Sequence, residues 1–306
     1  MSDNIVEIAN PARLSVRASQ LVIEREGFLP FITPVIDITA LLLAHPQVTL
    51  TQAVFSRLAE AGAIVVTIDG QYRPAAMSLT LQANTWQSER IAAQASFSPV
   101  RRKQLWTQIV QAKIRAQASL LQELYGSDGG LAPMARRVRS GDPGNFEAQA
   151  ARRYWGLLFG DKSFRRGSEQ TAESQDQNRH LDYGYTVLRA TVARAVCATG
   201  LHPSMGLHHH NRYDPFCLAA DLMEPFRPLI DRRVALWVRE HDPSAPLDSA
   251  AKKWLIQGAT MRYWCKRQQR AFPDIAARAA SSLASALMGQ AARLELPETL
   301  EPCPDE

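Results

Sequence analysis

Cysteine is scarce in this sequence, with four thiols in 306 residues, at Cys197, Cys217, Cys265 and Cys303. No two stand two to four residues apart, which excludes a zinc knuckle or an adjacent redox pair. Scattered thiols suit a reducing compartment, and for the first three they suit a packing role. Long apolar runs are also missing. Nothing approaches the roughly eighteen residues that a membrane span needs, so no membrane association is expected. Met1 to Pro11 has neither a basic nor an apolar stretch, so no secretory signal is expected and the cytoplasm is the expected location. No internal repeat is visible.

Acidic residues are thin in the middle of the chain. Residues 1–98 hold 6 lysines and arginines against 8 acids, residues 99–290 hold 28 against 17, and residues 291–306 hold 1 against 5. The overall excess of +5 is therefore the residue of a basic centre between two acidic ends. That distribution fits a nucleic-acid-binding domain and equally fits a helical domain with solvated basic faces.

The pattern of apolar residues divides the chain. Over 1–90 it predicts a small β-rich, sandwich-like domain. Leu14 and Val16, then Leu21 and Ile23, alternate with polar residues around an Ala18-Ser19 turn. Val35–Leu43 and Ile64–Ile68 are apolar and rich in branched side chains. A short helix from Thr49 or Thr51 to Glu60 ends at Gly62, and Ala75–Leu81 is a further strand. Residues 91–97, within a longer connector over 84–97, form the linker.

From 98 to 296 the spacing is helical. Ser98-Pro99 is a strong helix start, and Leu105, Ile109, Ala112, Ala116, Leu120 and Leu124 follow at helical intervals up to Gly126. Asn145 is positioned to cap a helix whose first turn contains Glu147. Asp161–Gln177 is polar and aperiodic and reads as a loop. A helix over 181–200 is apolar around much of its circumference, and helices are expected over 248–269 and 274–293. Residues 297–306 form an acidic, frayed tail. The fold class is α+β, a β-rich domain followed by a larger all-α domain.

The chemistry concentrates between Gly206 and Pro228. His208, His209 and His210 follow a glycine turn, and a short apolar helix then carries Asp221 and Glu224. Carboxylates three residues apart on a helix share a face. An imidazole with carboxylates suits Mg²⁺ or Mn²⁺ better than zinc. Glu147, from another helix, is a candidate third ligand, although a glutamate in a first turn is favoured there for its charge alone.

Four blocks, in order, carry a resemblance. They are Gly141-Asp142-Pro143-Gly144-Asn145-Phe146-Glu147-Ala148; Leu181-Asp182-Tyr183-Gly184-Tyr185-Thr186-Val187-Leu188-Arg189; Gly200-Leu201-His202-Pro203; and Gly206 through Glu224-Pro225-Phe226-Arg227-Pro228. Over nearly its whole length the chain resembles the CRISPR-associated integrase of the spacer-acquisition machinery. The wording at 224–228 resembles the branch associated with RNA-guided single-protein effectors. Two positions depart from the family pattern: Asp182 stands where asparagine is usual, and Glu224 where aspartate is common.

The resemblance implies a β-rich domain joined to a helical catalytic domain. It implies a metal site of Glu147, His209 and Glu224 with Asp221 beside them, His208 and His210 pointing elsewhere. It implies an enzyme, a Mg²⁺- or Mn²⁺-dependent endonuclease and integrase that inserts short duplex DNA into a CRISPR array. A free 3′-hydroxyl attacks a phosphodiester. Arg136, Arg137, Arg139, Arg152, Arg153 and Arg227 are the candidate phosphate contacts, positioning double-stranded DNA without reading its sequence. The implied partners are a second copy, joined through the β-rich domain as a homodimer, and a small ferredoxin-like adaptation protein completing a heterohexamer. A non-catalytic DNA-binding module and a purely hydrolytic nuclease are the alternatives that the residues leave open.

Overall fold

Strand alternation and helical periodicity segregate along the chain, and the fold follows that division. The computed structural model describes residues 4–69, 74–78, 84–160, 164, 166, 177–242, 245–265, 267–297 and 299–303. Two units result, Met1–Thr85 and Trp86–Glu306.

The first unit runs β1 (Asn4–Ile8), β2 (Ala12–Arg17), β3 (Gln20–Glu24), β4 (Phe31–Pro34), β5 (Ile38–Leu43), β6 (Val48–Leu50), α1 (Gln52–Glu60), β7 (Ile64–Ile68) and β8 (Pro74–Ser78). One sheet has the order β1-β5-β7-β8 and the other β4-β3-β2-β6. β5 lies between parallel neighbours on both sides. It is buried from Ile38 to Leu42, which accounts for its unbroken apolar run. β2 and β3 form the expected hairpin. Ala18 and Ser19 turn it with φ of 47° and 61°, as a two-residue turn matching strand twist requires. Leu14, Leu21 and Ile23 from one sheet, Leu41 and Val65 from the other, and Val54 and Leu58 of α1 share one core. The part of the last expected strand beyond Ser78 lies outside the described residues.

The second unit runs α2 (Gln87–Ser96), α3 (Pro99–Tyr125), α4 (Leu131–Arg137), α5 (Phe146–Leu158), α6 (Asn178–Ala198) and α7 (Cys217–Met223). After a 3-10 turn over Glu224–Phe226 come α8 (Arg227–Glu240), α9 (Ser249–Gln257), β9 (Arg262–Cys265), β10 (Gln268–Ala271), α10 (Phe272–Leu287) and β11 (Glu301–Pro302). α3 starts on Pro99 and stops at Gly126, whose φ of 71° is left-handed, the usual helix stop. α6 is the central helix, buried on most sides and packed against α7, α8, α9 and α10. Its Gly184 lets α8 approach; a methyl there would stand 2.3 Å from Ile230 Cγ2.

The structure corrects four expectations. The connector over 84–97 is mostly the helix α2. The helix expected to reach residue 269 stops at Gln257, and an antiparallel hairpin of β9 and β10 follows. There Tyr263 is buried while Trp264 is exposed, a strand's alternation with too few residues for helical periodicity. α10 ends at Leu287, six residues early. The tail is not frayed throughout: β11 pairs with β9 and Cys303 is buried. The second unit is thus the larger helical domain expected, with a three-stranded sheet added to it. Of the polar loop over 161–177, only Phe164, Arg166 and Gln177 are among the described residues. No helix among the described residues is long and apolar enough to cross a membrane.

Candidate active site

The histidine segment is shaped by one carboxylate. Asp221 on α7 has no exposed surface. Its Oδ2 accepts hydrogen bonds from the backbone N–H of Leu207 (2.6 Å) and His208 (3.0 Å). Its Oδ1 accepts from the N–H of His209 (3.2 Å) and lies 2.5 Å from His209 Nδ1. The loop therefore wraps around a buried charge whose hydrogen-bonding capacity it satisfies. Gly206 makes the wrap possible, since a methyl there would meet His209 O at 2.4 Å and Asp221 Oδ2 at 2.9 Å. With Nδ1 facing Asp221, His209 keeps Nε2 for another partner, the arrangement typical of a ligating imidazole. The hydrogen bond that His209 donates to Asp221 raises the His209 pKa above its usual value, with the negative charge of Asp221 adding to the effect against partial burial.

The neighbouring histidines diverge. His208 stacks on Trp106 of α3, ring centroids 4.4 Å apart and planes within 2°. His210 is exposed and its Nδ1 lies 2.7 Å from His209 O. The base of the loop is splinted by α2: buried Gln94 donates to the carbonyls of His202 and Met205 (both 2.9 Å) and accepts from the N–H of His202 (2.9 Å).

Glu147 and Glu224 converge on a single cation. Lys113 Nζ, from α3, lies 2.9 Å from Glu147 Oε1 and 2.7 Å from Glu224 Oε2. Glu224 Oε1 lies 2.8 Å from Arg227 Nε. Both Glu224 contacts are ion pairs without hydrogen-bond alignment, so Glu224 Oε2 is a buried oxygen lacking a directed donor. Burial pushes the Glu224 carboxyl up, but Arg227 and Lys113 outweigh it and hold it down at about 2. Burial likewise pushes Lys113 down, and Glu224 and Glu147 reverse that and raise it. Asp221 and Glu224, although three residues apart, serve different neighbours: the chain passes from α7 into the 3-10 turn between them, and one faces the histidine loop, the other Lys113.

Glu147 is placed by α5, whose start is capped from a distance. Asn145 occupies the cap position in a left-handed conformation without a side-chain bond. The capping oxygens belong to Asp142, which accepts from the N–H of Phe146 (3.0 Å) and Glu147 (2.9 Å).

Of the six arginines singled out, Arg136, Arg137, Arg139, Arg152 and Arg153 are exposed, the first three at and just after the end of α4 and the last two on α5. Arg137 also lies over the Phe146 ring at 4.5 Å. Arg227 is instead committed inward, to Glu224 and, 4.5 Å from its centroid, to the ring of Tyr185. Beneath it Asp231 accepts from Tyr154 (2.8 Å) and from Tyr185. Burial drives the Asp231 carboxyl up to about 6 against those two bonds. The departure at Asp182 has a local reason: its carboxylate pairs with Arg166 Nη2 at 2.5 Å.

This geometry can be set beside known proteins. The family described as CRISPR associated protein Cas1 matches residues 7–245. The chain belongs to that family. It is 35% identical over 299 residues to the CRISPR-associated endonuclease Cas1 of Neisseria meningitidis serogroup C (strain 8013), spanning 96% of this chain and 95% of the relative. Its fold is similar to a casposase bound to integration product (TM-score 0.76, 17% identity, 96% of this chain and 92% of the other). It is also similar to a chain of a Cas6-RT-Cas1–Cas2 complex (TM-score 0.71, 17% identity, 97% of this chain and 36% of the other). Membership of the Cas1 family implies nuclease or integrase activity on DNA, and the N-terminal mixed β domain followed by a larger helical domain is the Cas1 fold.

Several contributors to this Cas1 site escaped the sequence reading: Lys113, Trp106, Gln94 and Asp142. A signal was available, since Trp106 and Lys113 are seven residues apart and share the helix face that also carries buried Val110 and Gln117.

Proposed function

We propose that this chain is a divalent-metal-dependent DNA integrase and endonuclease that inserts short duplex DNA into a CRISPR array, by attack of a DNA 3′-hydroxyl on a phosphodiester. The observation carrying this reading is the convergence of Glu147 and Glu224, from separate helices, on one cation, beside an imidazole oriented by Asp221. Among the described residues, no three His, Cys, Asp or Glu side chains are grouped closely enough to hold a metal as they stand. The donors nonetheless fit the group: two carboxylates meet at a point now taken by Lys113 Nζ, Glu224 Oε2 lacks an aligned donor, and His209 has a nitrogen to spare. Hard oxygen donors with one imidazole suit Mg²⁺ or Mn²⁺, held by Glu147, Glu224 and His209 once Lys113 moves aside. Such an ion would supply Lewis acidity and orientation to the phosphodiester.

The chain's own residues do the rest. Asp221 fixes the loop and the His209 ring. Arg227 keeps Glu224 ionised and aimed. The exposed arginines of α4 and α5 supply phosphate contacts along double-stranded DNA, whose affinity falls steeply with salt. Glu-Pro-Phe-Arg-Pro at 224–228 supports placement in the branch associated with RNA-guided single-protein effectors.

The test is transfer of a labelled duplex into a supercoiled plasmid carrying the cognate repeat, in Mg²⁺, in Mn²⁺ and in EDTA. Label transfer that needs the metal and is lost in His209→Ala supports the reading. Nicking without label transfer points to a hydrolytic nuclease, and metal-independent binding alone to a DNA-binding module.

Assembly is proposed on two grounds. The first unit exposes Phe28, Leu29, Phe31 and Ile32 on the edge strand β4 and its preceding turn, an apolar surface that calls for a cover. A second copy meeting it there gives a homodimer, and light scattering at micromolar concentration should return twice the chain mass; a monomer would count against it. The similar fold found in a Cas6-RT-Cas1–Cas2 complex fits assembly with a Cas2 partner, and we propose a small ferredoxin-like protein that completes a heterohexamer.

A further inference from the structure

The stretch Ser249–Leu294 holds eight lysines and arginines and a single acid, Asp274. It folds as α9, the β9–β10 hairpin and α10, none of which contributes to the site above. At its edge a groove of about 870 Å³ is lined by three arginines, Arg267, Arg278 and Arg293, by one acid, Glu295, and by Trp264 and Cys265 among others. Three features of this groove concern a ligand. Trp264 is 40% exposed, although an indole is costly to leave in water. Its position is fixed, because β9 is paired on both edges, with Gln269 opposite on β10 and Glu301 opposite on β11. Arg267, at the hairpin tip with φ of 64°, and Arg293 make no ion pair among the described residues. Arg278 is held by Glu295 at 2.9 Å, so the free positive charge is that of the other two.

We infer that this groove is a second nucleic-acid site, one that takes a single-stranded segment of DNA by stacking a base on Trp264 while Arg267 and Arg293 hold adjacent phosphates. The charge complements a phosphate backbone. The indole decides between strands: a duplex keeps its base faces stacked on one another, whereas an unpaired strand offers a π-face to an exposed aromatic. The inference rests on the DNA-handling function proposed above, and it adds a contact for an unpaired end or flap of the substrate away from the reacting phosphodiester.

The test is binding alone, in EDTA, by fluorescence anisotropy with a labelled oligo-dT and a labelled hairpin duplex of equal length over a series of salt concentrations. Trp264→Ala should weaken oligo-dT binding roughly tenfold, as loss of one stacked base does, with duplex affinity changed less than about twofold. Trp264→Phe, which keeps a ring, should retain most of the affinity and guards against a folding artefact, as does an unchanged melting curve. Arg267→Ala with Arg293→Ala should flatten the salt dependence for oligo-dT by roughly 0.7 per arginine. Oligo-dT affinity unmoved by Trp264→Ala, with duplex still bound, would overturn this site and leave the integrase reading intact. Binding of neither DNA would remove the reading on which both rest. Oligo-rU bound tenfold tighter than oligo-dT would overturn the assignment to DNA.

Discussion

Glu224→Gln keeps the shape of the side chain and removes its charge, and strand transfer by this variant is expected to fall more than about 100-fold in both Mg²⁺ and Mn²⁺. The carboxylate is one of two that meet at a single point, 2.7 Å from Lys113 Nζ, and it is 4% exposed. Water cannot replace the lost charge at such depth. Duplex affinity should stay within about twofold, because the exposed arginines on α4 and α5 are untouched. Transfer within tenfold of the unmodified protein would remove Glu224 from the reaction. The pH dependence is also constrained. The folded-state pKa of Glu224 is depressed from an ordinary 4.5 to about 2. Its ion pairs therefore contribute their full stability above about 4.5 and lose it as pH falls through about 2. As pH falls below about 4.5, the stability that the Glu224 charge gives the unmodified protein over Glu224→Gln should shrink, measured by denaturant midpoints across the acid range.

The β2–β3 hairpin, the apolar β5 and β7, and the start and stop of α3 were legible because each is written locally: strict alternation, branched runs, Ser-Pro and Gly. The four-block pattern also singled out Glu147, His209 and Glu224, and the structure brings two of them, Glu147 and Glu224, to one cation; their role as ligands is the reading proposed above. What failed depends on contacts distant in sequence. Gln94 looks like a connector residue until its amide meets His202 and Met205, more than a hundred residues on. Asp221, grouped with Glu224 by helical spacing, turns out to organise the loop before it, because the helix gives way to a 3-10 turn at Glu224. Asn145 fills the cap position by spacing, yet its backbone is left-handed, its side chain makes no cap bond, and Asp142 supplies the bonds. The hairpin at 262–271 was lost to a helix because ten residues with one buried tyrosine among those described give too little period to decide between the two.

Lys113→Met should destabilise the metal-free protein and be rescued by divalent cation. The methionine keeps the apolar stem and removes the ammonium, leaving Glu147 and Glu224 facing each other with only Arg227 beside one of them. Lys113 is 14% exposed and Glu224 6% by side chain, so the pair is not a screened surface bridge. Removing one partner of a buried ion pair costs about 3–5 kcal/mol. In a unit of this size that corresponds to a fall in Tm of roughly 10 °C, read in EDTA by differential scanning fluorimetry. Addition of millimolar Mg²⁺ or Mn²⁺ should then raise the variant's Tm by several degrees more than it raises that of the unmodified protein. The reason is competition at one point: the ammonium and a divalent ion neutralise the same two carboxylates, so the unmodified protein must give up one cation to accept the other, and the variant gives up nothing. By linkage, ligand binding to the folded state alone stabilises it in proportion to affinity, and the larger shift reports tighter metal binding. An equal or smaller metal-induced shift in Lys113→Met would mean that the two glutamates do not share a metal, and that their meeting at Lys113 is a structural ion pair.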